Sequence, residues 1–146
     1  MSDRTIYLDT SAIVKRYVIE EETDKIDKFY EKAHAGKIRL SFSVWNIGET
    51  AVVLDKYHRR GVLENAKEAF SKFIGETRLL VKLGQLKLIP LDLKMLVEST
   101  TYVFKHGIYI ADAVQLASAK RADSLLTFDK KLVQIAKIEG LKVTEL

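Results

Sequence analysis

The sequence has no cysteine, one proline and one tryptophan in 146 residues. Without cysteine there is no disulfide framework and no thiolate metal site. No apolar run approaches about 18 residues, so no membrane span is expected. Asn is limited to Asn46 and Asn65, and Gln to Gln85, Gln115 and Gln134. Beside plentiful Lys, Glu and Ile, that scarcity hints at a heat-adapted source. The sequence shows no repeat, low-complexity tract or linker. Met1-Ser2-Asp3-Arg4 runs straight into an apolar segment, so no signal peptide is expected and a cytoplasmic location is the default.

What is present suits one globular domain over residues 1–146, with 47% hydrophobic and 30% charged residues. The formal charge is +4 and the pI near 9.2. That is too mild to demand a nucleic-acid partner. The distribution says more than the total. Asp9 ends the run Ile6-Tyr7-Leu8, and Asp129 ends Leu125-Leu126-Thr127-Phe128. Asp112 opens a helix after Gly107-Ile108-Tyr109-Ile110, and Glu49 sits within an apolar helix. Strands that stop at carboxylates imply a parallel sheet whose C-terminal rim collects acids, where open α/β sheets place ligands. A basic chain with its acids gathered in one place suits a polyanion approaching a carboxylate-held cation.

Periodicity predicts strands at residues 4–9, 38–42, 86–89, 124–128 and 142–146. It predicts helices at 10–17 with Ser11 as a possible N-cap, 23–35, 43–60 with Ser43 as cap, 63–83, 92–106, 110–121 and 130–139. In the 92–106 helix, Leu93, Leu96, Val97, Thr100 and Phe104 fall at helical spacing. In the 63–83 helix the stripe is Ala66, Phe70, Phe73 and Ile74. Strands alternate with helices long enough for right-handed crossovers. The expected fold is a three-layer α/β/α sandwich around a parallel sheet of four to five strands.

Each acid also has an ordinary explanation. Asp9 could be a helix cap, although Thr10 and Ser11 offer capping oxygens that would leave it spare. Glu49 shares a face with Trp45, Val52 and Val53, while Val44, Ile47, Ala51 and Leu54 lie opposite. The helix there reads as buried on both sides, so the carboxylate needs a lysine or a metal. Asp112 suits the positive end of a helix dipole. Asp129 could cap the helix from Lys130.

Together the four impose a constraint. Two carboxylates about 4 Å apart repel by roughly 4 kcal/mol at an effective dielectric near 20. A cluster of four must therefore be partly protonated or neutralised by a divalent cation. Oxygen-only ligands favour Mg²⁺ or Mn²⁺ over Zn²⁺. His34, His58 and His106 are scattered and read as surface residues. Lys15, Arg16, Lys130 and Lys131 follow the acids closely and could steer phosphates or simply be solvated.

The segments Tyr7 to Lys15, Gly48-Glu49, Ile110 to Ala117 and Leu125 to Asp129 together resemble the PIN-domain nucleases, most of all the toxin ribonucleases of VapBC type. The likeness covers essentially the whole chain. It implies a small α/β/α domain that hydrolyses RNA phosphodiesters with Mg²⁺ or Mn²⁺. It assigns Asp9, Glu49, Asp112 and Asp129 as the catalytic, metal-holding acids, with Ser11 and Thr127 as supporting hydroxyls. It also implies a cognate antitoxin, whose tail sets a basic side chain among the acids, and a homodimer. Many relatives carry an aromatic or polar residue before the third acid, where this chain has Ala111.

Three other readings compete. A PIN fold could bind RNA or protein without cutting. An RNA-processing nuclease outside a toxin–antitoxin pair is possible, although a bare domain suits a toxin better. A haloacid-dehalogenase-type phosphatase also begins with Asp after strand one, but it needs a second Asp two residues later, where this chain has Ser11.

Overall fold

The structure, a computed structural model, describes residues 4–145. Its elements run β1 (Thr5–Leu8), α1 (Thr10–Tyr17), α2 (Thr23–His34), β2 (Arg39–Ser43), α3 (Val44–Arg59) and α4 (Ala66–Lys82). They continue with β3 (Leu86–Ile89), α5 (Leu93–His106), α6 (Ile110–Ala119), β4 (Ser124–Leu126) and α7 (Lys130–Ile138). The sheet has the order β3-β2-β1-β4, with every pair parallel. This is the expected α/β fold.

β1 carries no charge because a central parallel strand is covered on both faces. Its Ile6, Tyr7 and Leu8 are completely buried. α1 packs against α2, α3 and α4, and α4 also meets β3. α6 packs between α5 and α7 and touches β1 and β2. Seven consecutive residues of α6, Ala113 to Ala119, are buried. Its alanines let it approach the sheet closely.

The chain lays β2 and β3 on one side of β1, then crosses to lay β4 on the other. Strand order therefore reverses at β1. A crevice opens beyond the C-terminal ends of β1 and β4, which stay in register through Leu8 opposite Leu126.

Several expectations need correction. The strand expected at residues 142–146 is only a single bridge, Val143 to Leu125, and Leu146 lies outside the described residues. The fourth strand ends at Leu126, because Thr127 and Phe128 already turn toward α7. α4 starts at Ala66, where the Asn65 side chain caps the Glu68 N–H. α5 presents the reverse of its expected face. Met95, Ser99 and Tyr102 are buried, whereas Leu93 is 77% and Phe104 87% exposed. The stripe on α4 does belong to the core, with Phe73 fully buried and Phe70 and Ile74 packed on it.

One ionic knot ties α1, α2 and α4 together. Arg16 donates to both Glu76 oxygens at 2.9 and 2.7 Å and to Asp27 at 2.8 Å. The Tyr17 hydroxyl donates to Glu76 at 2.7 Å, and His34 lies 2.8 Å from its other oxygen. Burial pushes the Glu76 carboxyl up, but the bonds from Arg16, His34 and Tyr17 outweigh it and hold it down to about 2. Removing Glu76 takes away the acceptor that Arg16, Tyr17 and His34 share, and stranding partly covered partners costs more than the pairing gains over water. Glu76→Ala should therefore lower stability by about 2 kcal/mol or more, and Arg16→Ala should add little to it. Urea unfolding of the two single variants and the double variant measures this. Losses that simply add would show that the knot does not act as a unit.

Candidate functional site

Asp9, Glu49, Asp112 and Asp129 all line one cleft of about 810 Å³ at the crevice where strand order reverses. They arrive from the β1–α1 junction, the middle of α3, the first turn of α6 and the β4–α7 junction. None of the four makes a salt bridge among the described residues.

Asp9 is the deepest, 5% exposed. It is also the N-cap of α1, a role expected of Ser11: its Oδ1 accepts the Ala12 N–H at 3.1 Å. Ser11 instead donates its hydroxyl to Asp9 Oδ1 at 2.7 Å, and the Thr127 hydroxyl donates to Oδ2. Each hydroxyl also accepts a backbone N–H from the β4–α7 turn. Phe128 donates to Ser11 and Asp129 to Thr127, both at 3.0 Å. Burial pushes the Asp9 carboxyl up, the three donors pull it back, and the charge of Asp129 raises it again, leaving it at about 6.

Asp129 caps α7, taking the N–H groups of Lys131 and Leu132 at 3.0 and 3.2 Å. Capping and facing the cleft are thus compatible for Asp9 and Asp129 alike. Asp112 is half-buried in the first turn of α6. Burial and the nearby Asp129 raise its carboxyl, and Lys131 partly offsets this.

Glu49 departs from expectation. α3 is not buried on both sides there: Trp45 is 37% and Val52 55% exposed, and both line the cleft. The partner of Glu49 is neither lysine nor arginine but the Thr10 hydroxyl, which donates to Oε1 at 2.8 Å.

Thr10, expected only to offer a capping oxygen, instead serves Glu49, and a polar floor that the sequence does not announce lies beneath it. Asn46 Nδ2 donates to Thr10 Oγ1 and to Gln115 Oε1, both at 2.9 Å. The Tyr7 hydroxyl lies 2.8 Å from Gln115 Oε1 and 3.1 Å from Asn46 Oδ1. One signal was available: Asn46 stands three residues after the cap Ser43, at capping-box spacing, and the structure forms that box.

The neighbouring cations divide. Arg16 is committed to Glu76 and Asp27, so it is removed from any steering role. Lys15 lines the cleft, with its ammonium 4.7 Å above the Phe128 ring and 3.4 Å from Glu20. Lys130 and Lys131 are exposed at the start of α7. His58 and His34 are exposed, and His34 meets Glu76. His106 is not a surface residue: its side chain is largely covered and lies 2.7 Å from Glu139.

A model of the PIN domain family matches residues 6–138. The chain belongs to the PIN domain family. Solved structures with the same fold include Mycobacterium tuberculosis VapC20, described as a sarcin–ricin loop cleaving toxin, at TM-score 0.65 and 15% identity over 97% of this chain and 99% of that one. PAE2754 from Pyrobaculum aerophilum matches at TM-score 0.63 and 20% identity, over 90% of this chain and 84% of that one. VapBC2 from Rickettsia felis, bound to a fragment of its promoter DNA, matches at TM-score 0.61 and 18% identity, over 96% and 97%. No curated protein matches the chain in sequence.

PIN domains are generally nucleases that use a divalent metal. The donor set here has the matching chemistry: hard carboxylate and hydroxyl oxygens, no sulfur, and an acid cluster lacking cationic partners. Among the described residues, no three acids stand close enough to clasp one ion directly. Mg²⁺ commonly keeps several waters and takes only one or two carboxylates directly.

Acidity at Asp9 is a stability statement. Its folded value, about 6, lies above the ordinary 3.8, so the fold prefers the protonated form. The resulting stability is complete below pH 4 and is lost as pH rises through 6, to an extent of about 3 kcal/mol. Asp9→Asn cannot titrate. In EDTA, the stability advantage of Asp9→Asn over the parent protein should grow from pH 4 to pH 6 and level off above pH 7. Thermal unfolding across that range tests it, and an advantage flat with pH would contradict the burial of this carboxylate.

Proposed function

We propose that this PIN domain is a Mg²⁺- or Mn²⁺-dependent endoribonuclease and the toxin of a toxin–antitoxin pair. The observation that carries the reading is the convergence of Asp9, Glu49, Asp112 and Asp129 on one cleft with no salt bridge to any of them among the described residues. Twenty-four lysines and arginines are available in the chain, yet the cleft acids stay unpaired. Such a site is built to receive a cation from solution.

Asp9, Glu49, Asp112 and Asp129 would hold the metal, partly through water. When bound, the ion lowers the pKa of water and stabilises charge on the scissile phosphate. Ser11 and Thr127 keep the Asp9 oxygens oriented. A carboxylate beside the ion, Asp112 or Asp129, would accept the proton of the attacking water. In-line attack leaves a 5′ phosphate and a 3′ hydroxyl. Lys130 and Lys131, exposed next to Asp129 in sequence, would meet the RNA backbone, so binding weakens with salt.

The wider assignment rests on the similarity to VapC20 and VapBC2. The proposal includes a cytoplasmic setting and a cognate antitoxin that sets a basic side chain among the acids. It also includes a homodimer. The Phe70, Phe73 and Ile74 stripe is spent on the core. The available face is α5, where Leu93, Leu96, Val97 and Phe104 are exposed. A two-fold dimer would bury the same patch on both copies.

Asp9→Asn and Asp112→Asn should each reduce Mg²⁺-dependent cleavage of total RNA at least about a hundredfold while leaving the fold intact. EDTA should silence the parent protein. Full activity in both variants, or in EDTA, would reject the site, and RNA binding without turnover in the parent protein would favour a non-cleaving module. For the dimer, Val97→Glu combined with Phe104→Glu should halve the sedimenting mass. A parent protein that already sediments as a monomer would dismiss it.

A further inference from the structure

Glu49 is held differently from the other acids. It sits inside a helix, where the backbone N–H groups are already used. Its orientation rests on one hydroxyl, and a hydroxyl has only one proton to give. What directs that proton decides where the carboxylate stands.

Three bonds settle the direction. The Ser43 N–H is fixed by the backbone and donates to Asn46 Oδ1 at 2.8 Å. The Asn46 amide therefore cannot turn over, and its Nδ2 faces Thr10 Oγ1 at 2.9 Å. The second Nδ2 hydrogen goes to Gln115 Oε1, also at 2.9 Å. Thr10 Oγ1 thus receives a donor from behind, so its own proton points forward to Glu49 Oε1 at 2.8 Å. Asn46 is completely buried, and burying an amide there is costly unless every site is used. Both hydrogens and the oxygen are used.

We propose that Asn46 and Thr10 form a one-way hydrogen-bond relay, from the Ser43 backbone amide to Glu49, that fixes the Glu49 carboxylate for the ion. Both are positioning residues, and the proposal rests on the nuclease reading for the role of Glu49. The relay runs between α1 and α3, so it also sets how far Glu49 stands from Asp9.

The test is Mn²⁺ affinity without RNA, read by electron paramagnetic resonance of the free ion. Thr10→Val keeps the shape and loses the proton, so affinity should fall about tenfold or more. Thr10→Ser restores the hydroxyl and should return affinity to within about twofold. Asn46→Asp keeps an acceptor for the Ser43 N–H but offers Thr10 an acceptor instead of a donor. The Thr10 hydroxyl then turns back and releases Glu49, giving a loss like that of Thr10→Val and no further loss when the two are combined. In a Glu49→Gln background, Thr10→Val should change nothing more. If Asn46→Asp fails to fold, the Thr10 pair carries the test, with thermal midpoints expected within a few degrees of the parent.

Unchanged Mn²⁺ affinity in Thr10→Val overturns the relay, and the nuclease reading stands if the parent binds Mn²⁺ and cuts RNA. A Thr10→Val loss that persists in the Glu49→Gln background also overturns it, because Thr10 would then act elsewhere. A parent protein that neither binds Mn²⁺ nor cuts RNA removes both readings.

Discussion

A carboxylate buried at the end of the central strand is the constraint the rest of the structure answers. Asp9 is almost fully covered, and burial of an ionised acid is costly. Three donors meet it: the hydroxyls of Ser11 and Thr127 and the Ala12 amide. The two hydroxyls each take a backbone N–H from the β4–α7 turn. The groups that moderate the charge are therefore the groups that join the two turns. The first and last thirds of the chain are held together at the same point where the charge is held.

Beneath the cleft the sheet end stays polar. Tyr7, Asn46 and Gln115 are all buried and hydrogen-bonded to one another. Burial raises the Tyr7 hydroxyl far above its ordinary value, so it stays protonated and remains a donor. Gln115 Nε2 has no hydrogen-bond partner. A fully apolar floor would hold the sheet end together as well, but it would leave Thr10 without its donor. The polar floor acts on orientation more than on stability.

Sequence reading reached β1, β3 and the acids because those features are local. An uncharged run stopped by Asp needs no partner to be recognised, and residues 86–89 matched β3 at both ends. It failed where the decisive contact is distant. Thr10 meets Glu49 across 39 residues, and Tyr7 meets Gln115 across 108, so neither spacing leaves a local mark. α5 failed for another reason. Its more apolar stripe faces outward, while Ser99, Met95 and Tyr102 turn inward, and the Ser118 hydroxyl reaches the Met95 sulfur at 3.8 Å. A small residue such as Ser99 allows close helix approach, and hydrophobicity at helical spacing does not report that. The helix at Glu49 was read as buried on both sides because Trp45 and Val52 are apolar, yet both border the cleft.

Two covered carboxylates in one chain show what is particular about the cleft. Glu76 has Arg16 bidentate against it, with His34 and Tyr17 added, and its carboxyl is held down to about 2. Asp9 is more deeply buried, has no cation bonded to it, and is left at about 6. Arg16 stands only seven residues further along α1 from Asp9, yet its guanidinium is turned away to Glu76 and Asp27. Lys15 is nearer the cleft but lies over the Phe128 ring and against Glu20. Lack of positive charge is thus not what leaves the cleft acids unpaired. The helix that Asp9 caps sends its arginine to the other carboxylate, and the strain of like charges stays concentrated where four elements meet. A fold selected for stability alone would gain by the opposite arrangement, which is the physical ground for the proposal that a cation binds in the cleft.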